Sequence, residues 1–446
     1  MTDQKPKPIR VAIIGAGPGG LVLAQILRQD PRFSVTVYER GVRDGSGTSS
    51  LVGFRILVSP SILDDLRSQL PASVATLIDD AIGVSQAQGN RVAFMDEKCG
   101  LICRLDVQQS RDMCSVSRWK LREALLHGAE EIVKFGKQFS SYEQLGGESG
   151  DVKVKVHFAD GDEIECDVLV GADGAGSKVR KLLLPNSQRS ASGLTVVYFK
   201  APFTPETEAM IPWKSGCVAM TPRRSMVVAY YKDRQRPYGP YDLEKIDPAD
   251  SFLMFGLGCY TNEFENQSKH PDEMTPEELK DECLARAKNW NPLLRALIAL
   301  SVPSSVSREG SLFWGTLLTG ESPTLENKSG INQVDSMTPY LGKGASSAII
   351  DAMSLAKALK SEPEQGQGDD FLKAQLSIYE EAMLKHGFEA ARQSMTAQKF
   401  TFNAGDTPWK CWWRNLALKA WDWWMSHPPA IEEDFPVSYS EMKKGV

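Results

Sequence analysis

The sequence predicts an α/β fold: a parallel-sheet domain at the amino end, a mostly antiparallel β-sheet domain inserted into it, and a helical C-terminal tail. Three observations carry that expectation. A strand, a glycine-rich turn, a helix and a second strand follow one another from Val11 to Arg40. Beyond about Pro185 the chain turns to β-like runs separated by loops rich in proline and charge. Between Trp409 and Trp424 lie six of the ten tryptophans.

The first unit opens with Arg10 to Ile14, a short apolar run that suits a buried parallel strand. Gly15, Gly17 and Gly20 follow in G-x-G-x-x-G spacing. Gly15 permits a tight turn, Gly17 leaves the backbone bare for a pyrophosphate, and Gly20 lets helix and strand approach closely. A helical pattern runs from Pro18 to about Gln29, and its amino end offers unpaired N–H groups to phosphate oxygens. The second strand, Val35 to Tyr38, ends in Glu39 and Arg40. A carboxylate at that place can hold ribose hydroxyls. The whole unit therefore reads as a dinucleotide site rather than a bland turn.

Size and composition bound the rest. A chain of 446 residues suggests two or three domains, and a hydrophobic fraction of 42% can fill their cores. The net charge is -6 with no long basic run, which argues against nucleic acid as a partner. The eight cysteines and five histidines are scattered without metal-ligand spacing, so no metal is expected and reduced thiols in the cytoplasm are. No apolar leader core and no membrane-spanning run are evident.

Along the chain, GFRILVSPSILDDL from Gly53 reads as a strand and turn feeding a helix, and SRWKLREALL from Ser117 as a helix start. Val152 to Phe158 alternates as a strand, and Glu163 to Val170 reads as one returning strand. In the second domain, Leu194 to Lys200 and Met226 to Lys232 read as strands and Thr275 to Leu300 as one helix. Ala345 to Leu359 and Phe371 to Arg392 read as helices. The expected division is 1–185 with 312–400, an inserted 186–311, and a tail from 401 to 446. Residues 76–104 could join the inserted domain. The tryptophans of the tail sit at helical spacing. Docking on the body is the favoured reading, with a dimer contact or a membrane surface as alternatives. Asp422 among few basic residues weighs against the membrane.

A second nucleotide element lies in GADGAGSKVR, where Asp173 follows an apolar strand and Gly174 keeps the backbone close to a ligand. With these motifs the chain resembles the flavoprotein monooxygenases of the para-hydroxybenzoate hydroxylase type, to about Gln398. The resemblance implies a Rossmann-like FAD-binding domain of glutathione-reductase type. It assigns Gly15, Gly17, Gly20, Glu39 and Arg40 to the ADP half, and Arg118, Asp173 and Gly174 to the same cofactor. The stretch TPYLGKGASSAIIDA, with Pro339, Gly342, Gly344 and Ala345, would run beside the flavin ring. Just before it the usual Gly-Asp pair is replaced by Ile331 and Asn332, and the usual histidine by Asp335. Asn332 could still bond the ribityl chain.

In the activity that the resemblance implies, NAD(P)H docks transiently and reduces FAD. O2 then forms a flavin C4a-hydroperoxide, which hydroxylates or epoxidises a small, largely apolar aromatic, indole, polyketide or terpenoid metabolite. Arg55, Tyr198 and Asp335 are the candidates for catalysis, and Lys200 shares a strand face with Tyr198. Two rival readings stand beside this one. The first is a non-redox isomerase or cyclase on the same fold, with the altered third motif as its mark. The second is a non-catalytic binding protein acting through the tryptophan-rich tail. Substrate identity, the choice of NADH or NADPH, and oligomeric state stay open.

Overall fold

The computed structural model describes residues 7–43, 54–84, 92–105, 113–146, 153–174, 176–185, 193–211, 213, 216–239, 247, 249–265, 268–302, 307–309, 316–318, 342–362 and 370–426. In chain order the strands are β1 (Ile9–Ile14), β2 (Phe33–Glu39), β3 (Arg55–Val58), β4 (Val92–Met95), β5 (Leu101–Leu105), β6 (Cys114–Ser117), β7 (Val133–Phe135), β8 (Phe139–Leu145) and β9 (Lys153–Phe158). They continue with β10 (Glu163–Cys166), β11 (Val168–Gly171), β12 (Leu194–Pro202), β13 (Cys217–Thr221), β14 (Arg224–Tyr231), β15 (Phe252–Tyr260), β16 (Ser307–Glu309) and β17 (Thr316–Leu318).

The amino-terminal sheet has the order β17-β11-β1-β2-β7, parallel except for β17. Its strands are apolar on both faces because both faces are covered. Val11, Ile13, Val35, Val37, Val168 and Val170 meet helices Pro18–Leu27, Arg118–Leu126 and Gly344–Lys360. Ala12, Ile14 and Leu169 meet Val154, Val156 and Phe158 of the antiparallel sheet β10-β9-β8.

The returning strand read from Glu163 to Val170 is in fact two. β10 pairs with β9, whereas β11 pairs with β1. Asp167 separates them: its carboxylate accepts from the Arg10 backbone N–H and side-chain Nη2, both at 2.8 Å. Its own N–H donates to the Arg10 carbonyl at 2.9 Å. The Arg10 guanidinium holds Asp167 below the usual carboxylate range.

The second sheet has the order β16-β12-β15-β14-β13-β4-β5, so β4 and β5 of the 76–104 stretch lie in it. Helix Ala72–Ala81 instead buries Val74 and Ile78 in the amino-terminal core. One face of the second sheet, with Val197, Phe199, Phe255 and Leu257, packs on Leu279, Leu294 and Ile298. The helix expected from Thr275 to Leu300 is broken into Pro276–Arg286 and Pro292–Ala299. Pro292 removes a donor and starts a new helix, capped by the Asn291 side chain accepting from Leu293 N–H at 2.9 Å.

Helix Asp370–Phe402 runs ten residues past the expected Arg392 end, across the boundary drawn at 400. Its last residue, Phe402, is fully buried edge-on to Tyr260 of β15, with ring centroids 6.1 Å apart. The Tyr260 hydroxyl donates to Asn403 Oδ1 at 2.8 Å. Phe402→Ala is expected to cost about 3–5 kcal/mol. Phe400→Ala, at a position 39% exposed, should cost far less. Urea unfolding of both variants checks the contrast.

Candidate active site

The glycine turn closes β1 against two backbones. Gly15 has φ +109°, and its N–H donates to the Tyr38 carbonyl at 2.8 Å. A Cβ on Gly15 would overlap the Ala172 carbonyl oxygen, and one on Gly20 would overlap the Gly15 carbonyl oxygen. Gly17 differs: a Cβ there would meet nothing within 4 Å among the described residues, which leave the outer side of the turn open. Gly19 lies where a Cβ would come 3.1 Å from the Ala348 carbonyl oxygen, which brings helix Gly344–Lys360 against helix Pro18–Leu27.

Glu39 braces the turn. Its Oε2 accepts from Ala16 N–H and its Oε1 from Gly41 N–H, both at 2.8 Å. A carboxylate offers about four acceptor sites, so sites remain for ribose hydroxyls. Arg40 beside it is exposed. Arg122 Nε donates to the Ala16 carbonyl at 3.2 Å. Burial lowers the Arg122 pKa, against the raising charge of Glu39. Arg122 is not among the residues expected from the sequence, where Arg118 stands instead. The spacing of four residues, which puts both on one helix face, was the available signal.

Helix caps mark the same edge. Ser59, Ser117, Ser177, Thr204, Thr275 and Asn291 each cap a helix with a side-chain acceptor. The helices that follow Gly17 and Lys343 have no side-chain cap, and neither does the one after Pro71. Their first N–H groups are left for water or a ligand. Gly342, at φ +63°, leads into the second of these, and Gly344 and Ala345 open it. Ser346 Oγ donates to the Leu57 carbonyl at 2.9 Å and fixes that end beside β3. Asn332, Asp335 and Pro339 lie outside the described residues.

Asp173 follows β11, its Cα 3.0 Å from where a Gly15 Cβ would stand. Its Oδ2 accepts from Lys178 N–H at 2.7 Å. Its Oδ1 is buried and accepts no hydrogen bond among the described residues. Gly174, at φ +75°, turns the chain away with open space at its Cβ position. A buried carboxylate oxygen without a donor is costly, and a bound hydroxyl would satisfy it.

The other face of the second sheet looks toward β3. Ala229, Tyr231, Phe252 and Met254 cluster there with Phe54. Tyr198 is half-buried with its ring 4.8 Å from that of Phe54. Arg55 Nη1 donates to the Tyr230 carbonyl at 3.2 Å, and burial pushes its pKa down to about 10. Lys200 is 2% exposed, with Nζ 4.0 Å from the Phe252 ring centroid and 6.0 Å from that of Phe54. Burial, and then the charge of Arg118, bring its pKa down to about 7. Tyr230 and Tyr231 point to opposite faces, and both are buried. The structure thus gathers Arg55, Tyr198, Lys200 and Arg118 around Phe54.

A family model described as an FAD binding domain matches residues 78–247, and one described as an NAD(P)-binding Rossmann-like domain matches residues 13–58. The chain thus carries matches to both domain families and is similar to FAD-dependent monooxygenases. The dual O-methyltransferase/FAD-dependent monooxygenase elcB of Phaeosphaeria nodorum is 24% identical over 88% of this chain and 46% of its own. This chain spans less than half the length of such dual-function relatives. The 6-hydroxynicotinate 3-monooxygenase of Pseudomonas fluorescens is 24% identical over 79% of this chain and 82% of its own. A solved structure from Photorhabdus luminescens, described as an FAD containing monooxygenase, is 27% identical. It has a TM-score of 0.66 and covers 88% of this chain and 98% of its own.

The described residues fit FAD. The Gly17 backbone and uncapped helix suit a pyrophosphate, Glu39 suits a ribose, and the Asp173 oxygen that lacks a donor among the described residues suits a hydroxyl. Gly17→Ala should therefore fold like the parent yet weaken FAD binding at least about tenfold, or about 1.4 kcal/mol. Gly15→Ala should lower the melting temperature itself. Flavin titration and thermal unfolding of both variants separate the two roles.

Lys200 gives a pH signature. Its folded value is about 7 against an ordinary 10.5. Between those values the unfolded chain binds more protons, so stability rises with pH across that window, and the penalty is complete below it. Lys200→Met removes the penalty. Its melting temperature should exceed the parent's most below pH 7, with the gain fading toward pH 10.5. A gain that is flat with pH would refute the assignment.

Proposed function

We propose that the chain is an FAD-dependent monooxygenase that uses NAD(P)H and O2 to hydroxylate or epoxidise a small, largely apolar metabolite. The observation that carries the reading is the buried Asp173 oxygen beside the Gly15 turn, which has no donor among the described residues. The family's FAD supplies the oxygen activation when bound.

The remaining work falls to side chains. Gly15, Gly17, Gly20, Glu39, Asp173, Gly174 and the amino end of helix Gly344–Lys360 would hold and orient the cofactor. The face bearing Phe54, Tyr198, Phe252 and Met254 would exclude water and stack on an aromatic ring. Arg55, Arg118 and Lys200 would favour a substrate with a phenolic or carboxylate oxygen. Lys200 can hold or release a proton at Nζ near neutral pH. A relative named for 6-hydroxynicotinate agrees with such a substrate. In this reading the domain bearing the first sheet binds the cofactor. The inserted domain, with β4 and β5, forms the substrate wall.

The purified chain should be yellow, with a flavin spectrum bleached by NAD(P)H. Its NAD(P)H oxidation and O2 uptake should rise with a hydroxylated aromatic carboxylate. Asp173→Ala should lose the flavin. A colourless chain that binds no added FAD overturns the reading.

A further inference from the structure

Helix Pro408–Ser426 is docked with the opposite face from the one hydrophobicity would choose. At about 100° per residue, Trp409, Trp412, Trp413, Leu416, Trp423 and Trp424 form one stripe. All six are exposed, and the five tryptophans range from 50% to 67% exposure. The opposite face meets the body with polar groups. The Asp422 carboxylate accepts the Arg104 backbone N–H at 2.8 Å and pairs with its guanidinium at 3.2 Å. Arg414 is buried and donates to the Thr401 carbonyl at 2.8 Å. The docking expected for the tryptophans is thus made by the other side of the helix. Asp422, which weighed against a membrane in the sequence, is turned inward.

At roughly 150–250 Å² per aromatic side chain, the stripe exposes on the order of 500 Å² of apolar surface. That is at the top of what monomers show without a binding role. Each edge bears a lysine. Lys410 and Lys419 are exposed and project on opposite sides of the stripe, about 100° and 80° from its centre. Asp406, the acid nearest its start, is engaged with Lys410 at 3.1 Å.

We infer that this stripe is a lipid-interface surface. The helix lies flat on an anionic bilayer, its tryptophans among the headgroups and Lys419 toward the lipid phosphates. Tryptophan suits that place, with an apolar ring and an N–H that needs a polar partner. A lysine at the edge of an aromatic centre complements anionic headgroups. A second copy of this helix offers Lys419 no free acid, because Asp406 is paired with Lys410 and Asp422 is turned inward. The helix is anchored on β5 through Arg104, so the second sheet would lie next to the bilayer. This inference does not depend on the proposed oxidation.

Flotation of the full chain with vesicles of phosphatidylcholine and phosphatidylserine, against phosphatidylcholine alone, tests it. The chain should float with the mixed vesicles, and brominated lipid should quench its tryptophan fluorescence. The W412S/W413S/W423S/W424S variant, altered only at exposed positions, should keep its far-ultraviolet spectrum and lose flotation. Lys419→Glu should weaken binding to mixed vesicles by about tenfold or more, at about 1 kcal/mol per charge. It should leave phosphatidylcholine binding unchanged. A folded chain that does not float overturns the inference. So does a dimer lost in the tryptophan variant without lipid binding, or flotation gained only when residues 427–446 are removed.

Discussion

Two backbone contacts fix the geometry on which the amino-terminal domain depends: Gly15 against Ala172, and Gly20 against Gly15. Neither leaves room for a methyl group. They force the first turn of helix Pro18–Leu27 down onto the carboxyl ends of β1 and β11, so its free N–H groups emerge beside Asp173. The same edge then carries donors without a side-chain cap and a buried acceptor that has no donor among the described residues. Such a buried acceptor costs about 1–3 kcal/mol, whereas the N–H groups can be met by water or a ligand. Both lie next to Gly17, where the proposed cofactor would sit.

Much of this was legible in the sequence because it is local. The glycine spacing, the acid closing β2 and the strand before Asp173 each act within a few residues. What was not legible is set by distant partners. Asp167 looks like any residue of a continuous strand until Arg10 is found across from it. Lys200 reads as a strand lysine, and nothing nearby in sequence announces Phe252 over its ammonium. Asn291-Pro292 was the opposite case: the break was written locally, yet the apolar pattern on either side masked it. Asn332, Asp335 and Pro339 fall outside the described residues, so the altered third motif remains an expectation from the sequence.

Beside the apolar contact of Phe54, a polar seam joins the first domain to the second sheet. Lys120 of helix Arg118–Leu126 pairs with Asp233 just beyond β14, and Asp233 also accepts from the Tyr231 hydroxyl at 3.1 Å. Burial alone would raise Asp233, but the Lys120 ammonium and backbone N–H groups hold it below its ordinary value. Val84 N–H donates to the Lys232 carbonyl at 2.7 Å close by. Such a seam fixes orientation more than it adds stability. It sets the Phe54 ring, the Lys200 ammonium and the Arg55 guanidinium at fixed places, where low polarity strengthens every charge. In the proposed reaction, a wall of this kind would discriminate among substrates by where their oxygens fall.

The C-terminal helix extends the same logic to the surface. Hydrophobic content alone would turn its tryptophans inward, since burying about 500 Å² at about 25 cal/mol/Å² is worth on the order of 10 kcal/mol. The polar contacts win because they are specific. Gly405 leaves space that Arg414 occupies, and Arg414 and Asp422 find partners in fixed geometry. Inverting the helix would strand a buried guanidinium and expose two broken networks, a loss that apolar packing without a matching groove would not recover. The apolar gain is therefore held over for whatever phase the stripe meets, and the orientation in which it is presented is decided beforehand by Arg104.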